Sequence, residues 1–160
     1  MGDLRGDADL VIDTTALNLH QLKDKVARAL GTADTVRLRI TMVSFGFKYG
    51  IPIDADYVAD MRFLPNPFWV PELRGKTGRS PDVRDYVLGQ QGAGEFVDSY
   101  VELLTRVAGG YLTEGKRFMS VAIGCTGGKH RSVAMSEEIA ERLRELGHSV
   151  DVVHRDLGRE

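Results

Sequence analysis

One stretch restricts the fold more than any other. Phe118-Met119-Ser120-Val121-Ala122-Ile123 is a short apolar run, Gly124-Cys125-Thr126-Gly127-Gly128 is glycine-rich, and the apolar residues from Val133 to Leu146 recur with helical spacing. The segment therefore predicts a strand, a tight turn and a helix amino terminus. A helix start leaves its first N–H groups unsatisfied and carries partial positive charge. Lys129, His130 and Arg131 add side-chain donors at that point. The turn is expected to receive an anion, most simply a phosphate group, with Cys125, Thr126, Gly127, Gly128, Lys129, His130, Arg131 and Ser132 as the candidate binding residues. Each glycine in an ordered element costs roughly 0.5–1 kcal/mol. Two in succession imply unusual dihedrals or a close approach by another group.

The rest of the chain reads as alternating strands and helices. Residues 8–12 are a short apolar strand candidate, and Asn18 can cap a helix reaching Leu30. Val36 to Ser44 alternates, with Val36, Leu38, Ile40 and Met42 on one face and Arg37 and Arg39 on the other. A shorter strand is expected over residues 57–62. It leads into Phe63-Leu64-Pro65-Asn66-Pro67-Phe68-Trp69-Val70-Pro71, whose prolines oppose a regular helix. Trp69 is read there as a packing anchor for the segment, among Phe63, Leu64 and Phe68, in preference to a platform that stacks on a base. Pro81 opens a helix to Leu88, and Phe96, Val97, Tyr100, Val101, Leu104 and Val107 stripe a second helix over residues 95–108. That stripe fits a core face or an interface. Gly147 ends the helix that begins at Arg131, and residues 149–154 supply a last strand. The fold class is α/β, a parallel or mixed sheet covered by helices. Ligands are expected at the carboxyl ends of its strands.

Charge and cysteine usage narrow the function. The 160 residues carry 21 basic and 23 acidic side chains, so RNA or DNA binding requires a local positive face. One cysteine excludes an internal disulfide framework and fits the reducing cytosol. No run is long and apolar enough to span a bilayer, and the first residues lack a signal-peptide core. A cytoplasmic protein without membrane partners is the expectation.

Cys125 and Arg131 are separated by five residues and Ser132 follows, the spacing of a cysteine-based phosphatase loop. In that chemistry the thiolate attacks phosphorus, the arginine clamps phosphate oxygens and the serine steadies the thiolate. Asp54, Asp56 and Asp60 are candidates for the acid that protonates the leaving oxygen. A buried small residue ending a core strand, or a passive lining of the anion site, is the favoured reading of Cys125 over a nucleophile. The nucleotide P-loop spacing fails, because Gly124 lies one residue too close to Gly128 and His130 follows Lys129. No metal-ligand spacing involves His130, and no metal is expected.

A second region, Ser44 to Asp56, places Lys48 and Tyr49 at a predicted strand end, with Arg62 and Asn66 available to extend a pocket. Several blocks together closely resemble the carboxy-terminal domain of the RapZ family of bacterial RNase adapter proteins. They are Val43-Ser44-Phe45-Gly46-Phe47-Lys48-Tyr49-Gly50, Asp60-Met61-Arg62-Phe63-Leu64-Pro65-Asn66-Pro67, Trp69-Val70-Pro71-Glu72-Leu73-Arg74, Thr77-Gly78 and Ala122 to Val133. Residues 1–35 resemble the end of that family's amino-terminal nucleotide-binding domain, and residues 36–160 its ligand- and RNA-binding domain. The Walker-containing bulk of the former is absent from the sequence, so a truncated family member is expected.

The resemblance implies a metabolite sensor and RNA-binding adapter rather than an enzyme acting alone. It implies a small regulatory RNA and an endoribonuclease as partners, self-association into a homo-oligomer, and glucosamine-6-phosphate as ligand. No cofactor is required, and ATP or GTP would bind only through the missing amino-terminal domain. The sugar-phosphate pocket maps to Lys48, Tyr49 and the Cys125–Arg131 loop. Lys48, Arg62, Arg74, Lys76, Arg79, Lys116, Arg117, Lys129, Arg131 and Arg155 are the cations available to track RNA phosphates. The alternative is a cysteine-dependent phosphatase or phosphotransfer enzyme using Cys125, Arg131, Ser132 and Asp60.

Overall fold

The computed structural model describes residues 37–159, together with three isolated helical positions, Leu19, Leu22 and Val26. The strand expected over residues 8–12, most of the helix over 18–30 and the domain boundary at 35 lie outside the described residues. Among the described residues four strands form one sheet: β1 (Arg39–Gly46), β2 (Tyr57–Asp60), β3 (Phe118–Cys125) and β4 (Ser149–His154). Their order is β2-β3-β1-β4, and every pairing is parallel. Over residues 37–159 the helices are α1 (Pro71–Arg74), α2 (Pro81–Leu88), α3 (Ala93–Thr113) and α4 (Arg131–Glu145). The architecture is α/β, a parallel sheet flanked by helices. Among the described residues, no helix is long and apolar enough to cross a membrane.

The alternation read in β1 is the alternation that folds. Leu38, Ile40 and Met42 are buried while Arg37 and Arg39 are exposed. Helix α4 packs against β1, β3 and β4 and is covered in turn by α2 and α3. Placed between two layers, it buries Val133, Ala134, Met135, Ile139, Ala140 and Leu143. Its end follows the glycine rule. Gly147 adopts φ +88°, its N–H reaches the Arg144 carbonyl at 2.9 Å, and the His148 N–H reaches the Leu143 carbonyl at 3.0 Å.

Two expectations change. The second strand stops at Asp60 instead of residue 62, because the Asp60 side chain accepts the Arg62 N–H at 2.9 Å and caps a 3₁₀ turn over Met61–Phe63. That turn drives Met61 into the core. Helix α3 runs to Thr113, past Gly109 and Gly110, because Tyr111 and Leu112 still pack on the core. Its stripe is a core face: Val97, Val101 and Leu104 are buried, with Phe96, Tyr100 and Val107 packed beside them.

Candidate functional site

Adjacent parallel strands β1 and β3 end side by side, with Gly46 opposite Cys125. The chain leaves β1 through a 3₁₀ turn over Phe47–Tyr49 and leaves β3 through the loop Thr126–His130. The two exits are tied by the Lys48 N–H to the Thr126 carbonyl at 3.3 Å. They pack so closely that only glycine fits at two positions. A Cβ on Gly46 would lie 2.6 Å from the Gly127 carbonyl carbon, and one on Gly128 would lie 2.8 Å from the Gly46 nitrogen. Gly128 also adopts φ +78°, a left-handed conformation. Gly127 meets nothing nearer than the Lys48 Cε at 3.8 Å, so its bare backbone faces the lysine side chain.

The exits of β1, β2 and β3 enclose a cleft of about 430 Å³. Lys48, Cys125, Thr126, Gly127, Lys129, His130 and Arg131 line it from the exits of β1 and β3, and Asn66, Phe68 and Trp69 from the segment after β2. Arg131 is 5% exposed and ties the two together. Its Nη1 donates to the carbonyls of Leu64 (2.8 Å) and Arg62 (3.4 Å), and its Nη2 to Thr126 Oγ1 (3.3 Å). Its Nε is buried and without a hydrogen-bond partner among the described residues, as is His130 Nε2. Burial, and then the charge of Lys129, push His130 below the ordinary imidazole range, against the backbone carbonyls of Arg74, Lys76 and Leu73. Lys48, Lys129 and Arg131 thus gather positive charge along the cleft.

Cys125 is buried at the base of the loop. Its Sγ lies 3.1 Å from Ser132 Oγ, and the Gly128 N–H points at it from 3.3 Å. The Gly128 amide is therefore turned to the sulfur. Asp60 lies at the carboxyl end of β2, gripped by the Arg62 guanidinium through contacts of 2.7–3.0 Å. Hydrogen bonding to Arg62, outweighing partial burial and aided by the charge of Arg131, holds its carboxyl below the usual range. A carboxylate kept ionised is a poor proton donor to a leaving group. Asp54 and Asp56 precede β2, and Asp56 is tied to Lys116 and to the Ser120 N–H. They lie at the opposite end of the sheet from Cys125.

The sequence profile of the RapZ C-terminal domain matches residues 38–158, a span that contains every strand and helix of the sheet just described. The chain belongs to the RapZ C-terminal domain family. It is 69% identical over its whole length to a nucleotide-binding protein of Nocardioides sp., of which it covers 53%. It is 60% identical over 98% of its length to a nucleotide-binding protein of Thermobifida fusca, and 61% identical over 99% to one of Streptomyces coelicolor, covering 53% of each. The chain spans about half the length of the curated relatives it matches.

This RapZ C-terminal domain does not bring all its predicted cations together. Lys48, Lys129 and Arg131 line the cleft. Arg62 sits at the same end, with its guanidinium 4.0 Å from the centre of the Phe47 ring. Arg74 packs over Phe68 and donates to its carbonyl at 2.9 Å, while Lys76 pairs with Asp82 and Arg79 lies 3.8 Å from Glu137. Arg155 follows β4 and binds Asp156 and the Gly50 carbonyl. Lys116 and Arg117 precede β3, at the far end of the sheet, and Lys116 pairs with Asp56 at 2.5 Å. Tyr49 does not line the cleft. Its hydroxyl donates to the Arg159 carbonyl, and Lys48 and Arg159 sit over its ring.

Phe68 and Trp69 are the lining residues that sequence reasoning did not assign to the site. Trp69 is 73% exposed, so it is not the packing anchor expected. Pro67 is the residue of that turn that enters the core. The available signal was two aromatics directly after an Asn-Pro pair, a pattern equally compatible with packing.

Proposed function

We propose that the cleft binds a phosphorylated amino sugar, glucosamine-6-phosphate, with the phosphate against the Thr126–Arg131 loop. We propose further that occupancy adjusts how a small regulatory RNA is presented to an endoribonuclease. The observation that carries the reading is the gathering of three cations, Lys48, Lys129 and Arg131, with His130 on one cleft beside the loop. Cations gathered on one cleft favour an anionic ligand, and an oxyanion supplies acceptors for their charge-assisted hydrogen bonds. The position at the carboxyl ends of parallel strands agrees with it. The ligand and the adapter role come from the family, as do self-association and the cytoplasmic setting in which RNA and nuclease meet. The relatives are named nucleotide-binding proteins, and we assign ATP or GTP to the part of those proteins beyond the span matched here.

Calorimetry with glucosamine-6-phosphate, inorganic phosphate and glucosamine tests the ligand. Saturable binding that favours the phosphorylated sugar over both fragments is expected. Equal affinity for inorganic phosphate reduces the site to generic anion capture and contradicts the proposal. Linkage requires that the sugar phosphate change RNA affinity by the factor by which RNA changes sugar-phosphate affinity. RNA gel shifts of the full-length parent with and without the sugar measure that factor, and a factor of one removes the sensor.

The contact between Cys125 Sγ and Ser132 Oγ favours a second reading, phosphatase chemistry. Arg131 committed to backbone carbonyls and Asp60 held ionised both oppose it. Phosphate release that disappears in C125S would support turnover; release unaffected by C125S would end that reading.

A further inference from the structure

The segment after β2 lines the cleft with Asn66, Phe68 and Trp69, and its backbone is fixed by its own hydrogen bonds. Asn66 Oδ1 accepts the Phe68 N–H at 3.3 Å, and Pro67 begins a 3₁₀ turn and is itself buried. The Trp69 and Val70 N–H groups close that turn onto the carbonyls of Asn66 and Pro67 at 3.1 and 3.0 Å. The Phe68 ring has the Arg74 guanidinium 4.8 Å from its centre and meets the indole of Trp69 edge-on, at 5.3 Å and 83°. The backbone of the turn is thus fixed, the indole meets the Phe68 ring, and 73% of Trp69 remains exposed. A large aromatic held on a rigid turn and left open beside a polar site is the arrangement of a stacking platform.

We infer that Trp69 is a specificity-determining residue that packs against the ring of a phosphate monoester whose phosphate lies on the Thr126–Arg131 loop. The inference rests on the reading of that loop as an anion site and adds what the organic part of the ligand must be. It must be cyclic, with one flat apolar face. A pyranose offers such a face in its axial C–H groups, and a nucleoside offers one in its base. An acyclic phosphate ester offers neither. The cleft, at about 430 Å³, accommodates a ligand of this class. Recognition is thus divided: cations and loop backbone hold the charge, while Asn66, Phe68 and Trp69 discriminate what is attached to it.

Trp69 is the only tryptophan of the sequence, so its emission reports on this segment alone. Titrations with glucosamine-6-phosphate, adenosine monophosphate, glycerol phosphate and inorganic phosphate, followed by fluorescence and calorimetry, test the inference on the chain and on W69A and W69F. The expected result is a saturable emission change with a ring-bearing ester and none with glycerol phosphate or inorganic phosphate. W69A is expected to lose about tenfold in affinity for the ring ligand and to keep its affinity for inorganic phosphate, with W69F recovering most of the loss. Whichever ring-bearing ester loses more in W69A identifies the source as sugar or nucleoside. Binding of glucosamine-6-phosphate with flat emission and unchanged affinity in W69A overturns the role of Trp69 and leaves the anion site standing. An emission change produced only by an oligonucleotide overturns it in favour of an RNA contact. Absence of binding by every phosphate compound overturns the anion site and this inference together.

Discussion

Arg131 and the two glycines before Lys129 carry opposite kinds of constraint, and substitution separates them. Gly128 has a left-handed φ and no room for a Cβ, whereas Gly127 has neither restriction. G128A should lose about 1–2 kcal/mol from the dihedral alone and more from the clash with Gly46, seen as a lower urea midpoint. G127A should keep the wild-type midpoint and weaken phosphate binding, because its methyl group lies toward Lys48 at the cleft. Equal stability losses in the two variants would contradict this division. The sequence made the glycine pair conspicuous but could not distinguish its members, since the distinction depends on where β1 ends. Arg131 was legible as a clamp; its bonds to the carbonyls of Leu64 and Arg62 were not, because they join segments 67 and 69 residues apart.

His130 belongs to the same scale. Its depressed folded-state pKa means the unfolded chain takes up the proton first. The resulting contribution to stability is fully present above the ordinary value of 6.5 and fades as pH falls toward the folded-state value. His148, lowered by burial, adds to the trend. Urea midpoints at pH 7.5 and at about pH 5.5 should therefore converge in H130Q relative to the wild type, leaving a remainder from His148. An identical pH dependence in H130Q would contradict the burial assigned to this ring.

Among the elements, the turn after β4 fixes the geometry of the exit from β1. Asp156 is fully buried, accepts the Gly46 N–H at 2.8 Å and pairs with Arg155 and Arg159. Burial opposes its ionisation. The bond from Arg155, the Gly46 amide, the Arg155 charge and the bond from Arg159 together outweigh that and lower its pKa. D156N should cost about 1–3 kcal/mol at neutral pH. Because a lowered carboxylate pKa gives stability that is lost as pH falls through it, the deficit should shrink below the ordinary value of 3.8. Chemical denaturation at neutral and acidic pH measures both; a deficit independent of pH would contradict the assigned charge. Nothing in the local sequence links Asp156 to Gly46, which lies 110 residues away. The strands and helices themselves were legible because alternation and helical spacing act within each segment. The end of β2 was not, because a single Asp60 cap decides it, and neither was the length of α3, which tertiary packing extends past two glycines.

For the whole molecule, the parallel order β2-β3-β1-β4 decides which charges can act together. Lys48 and Lys116 lie at opposite ends of the sheet, about 25 Å apart by the rise of an eight-residue strand. With 21 basic and 23 acidic residues overall, any RNA surface must be local. K48A should weaken RNA binding and reduce the slope of its salt dependence by about one, whereas K116A, which removes a cation already paired with Asp56, should alter neither. Filter binding over a salt series measures this, and a larger effect of K116A would move the RNA surface to the other end of the sheet. The list of cations was available from the sequence. Their division between two ends was not, because it follows from strand order.

The central claim, that the loop after β3 holds the phosphate of a small ligand, is tested most directly by ¹H–¹⁵N NMR during titration with glucosamine-6-phosphate. The account predicts saturable shifts concentrated at Thr126, Gly127, Lys129, His130 and Arg131, with the Trp69 indole N–H moving in parallel. Shifts confined to other surfaces, with those loop amides unmoved at saturation, would contradict it.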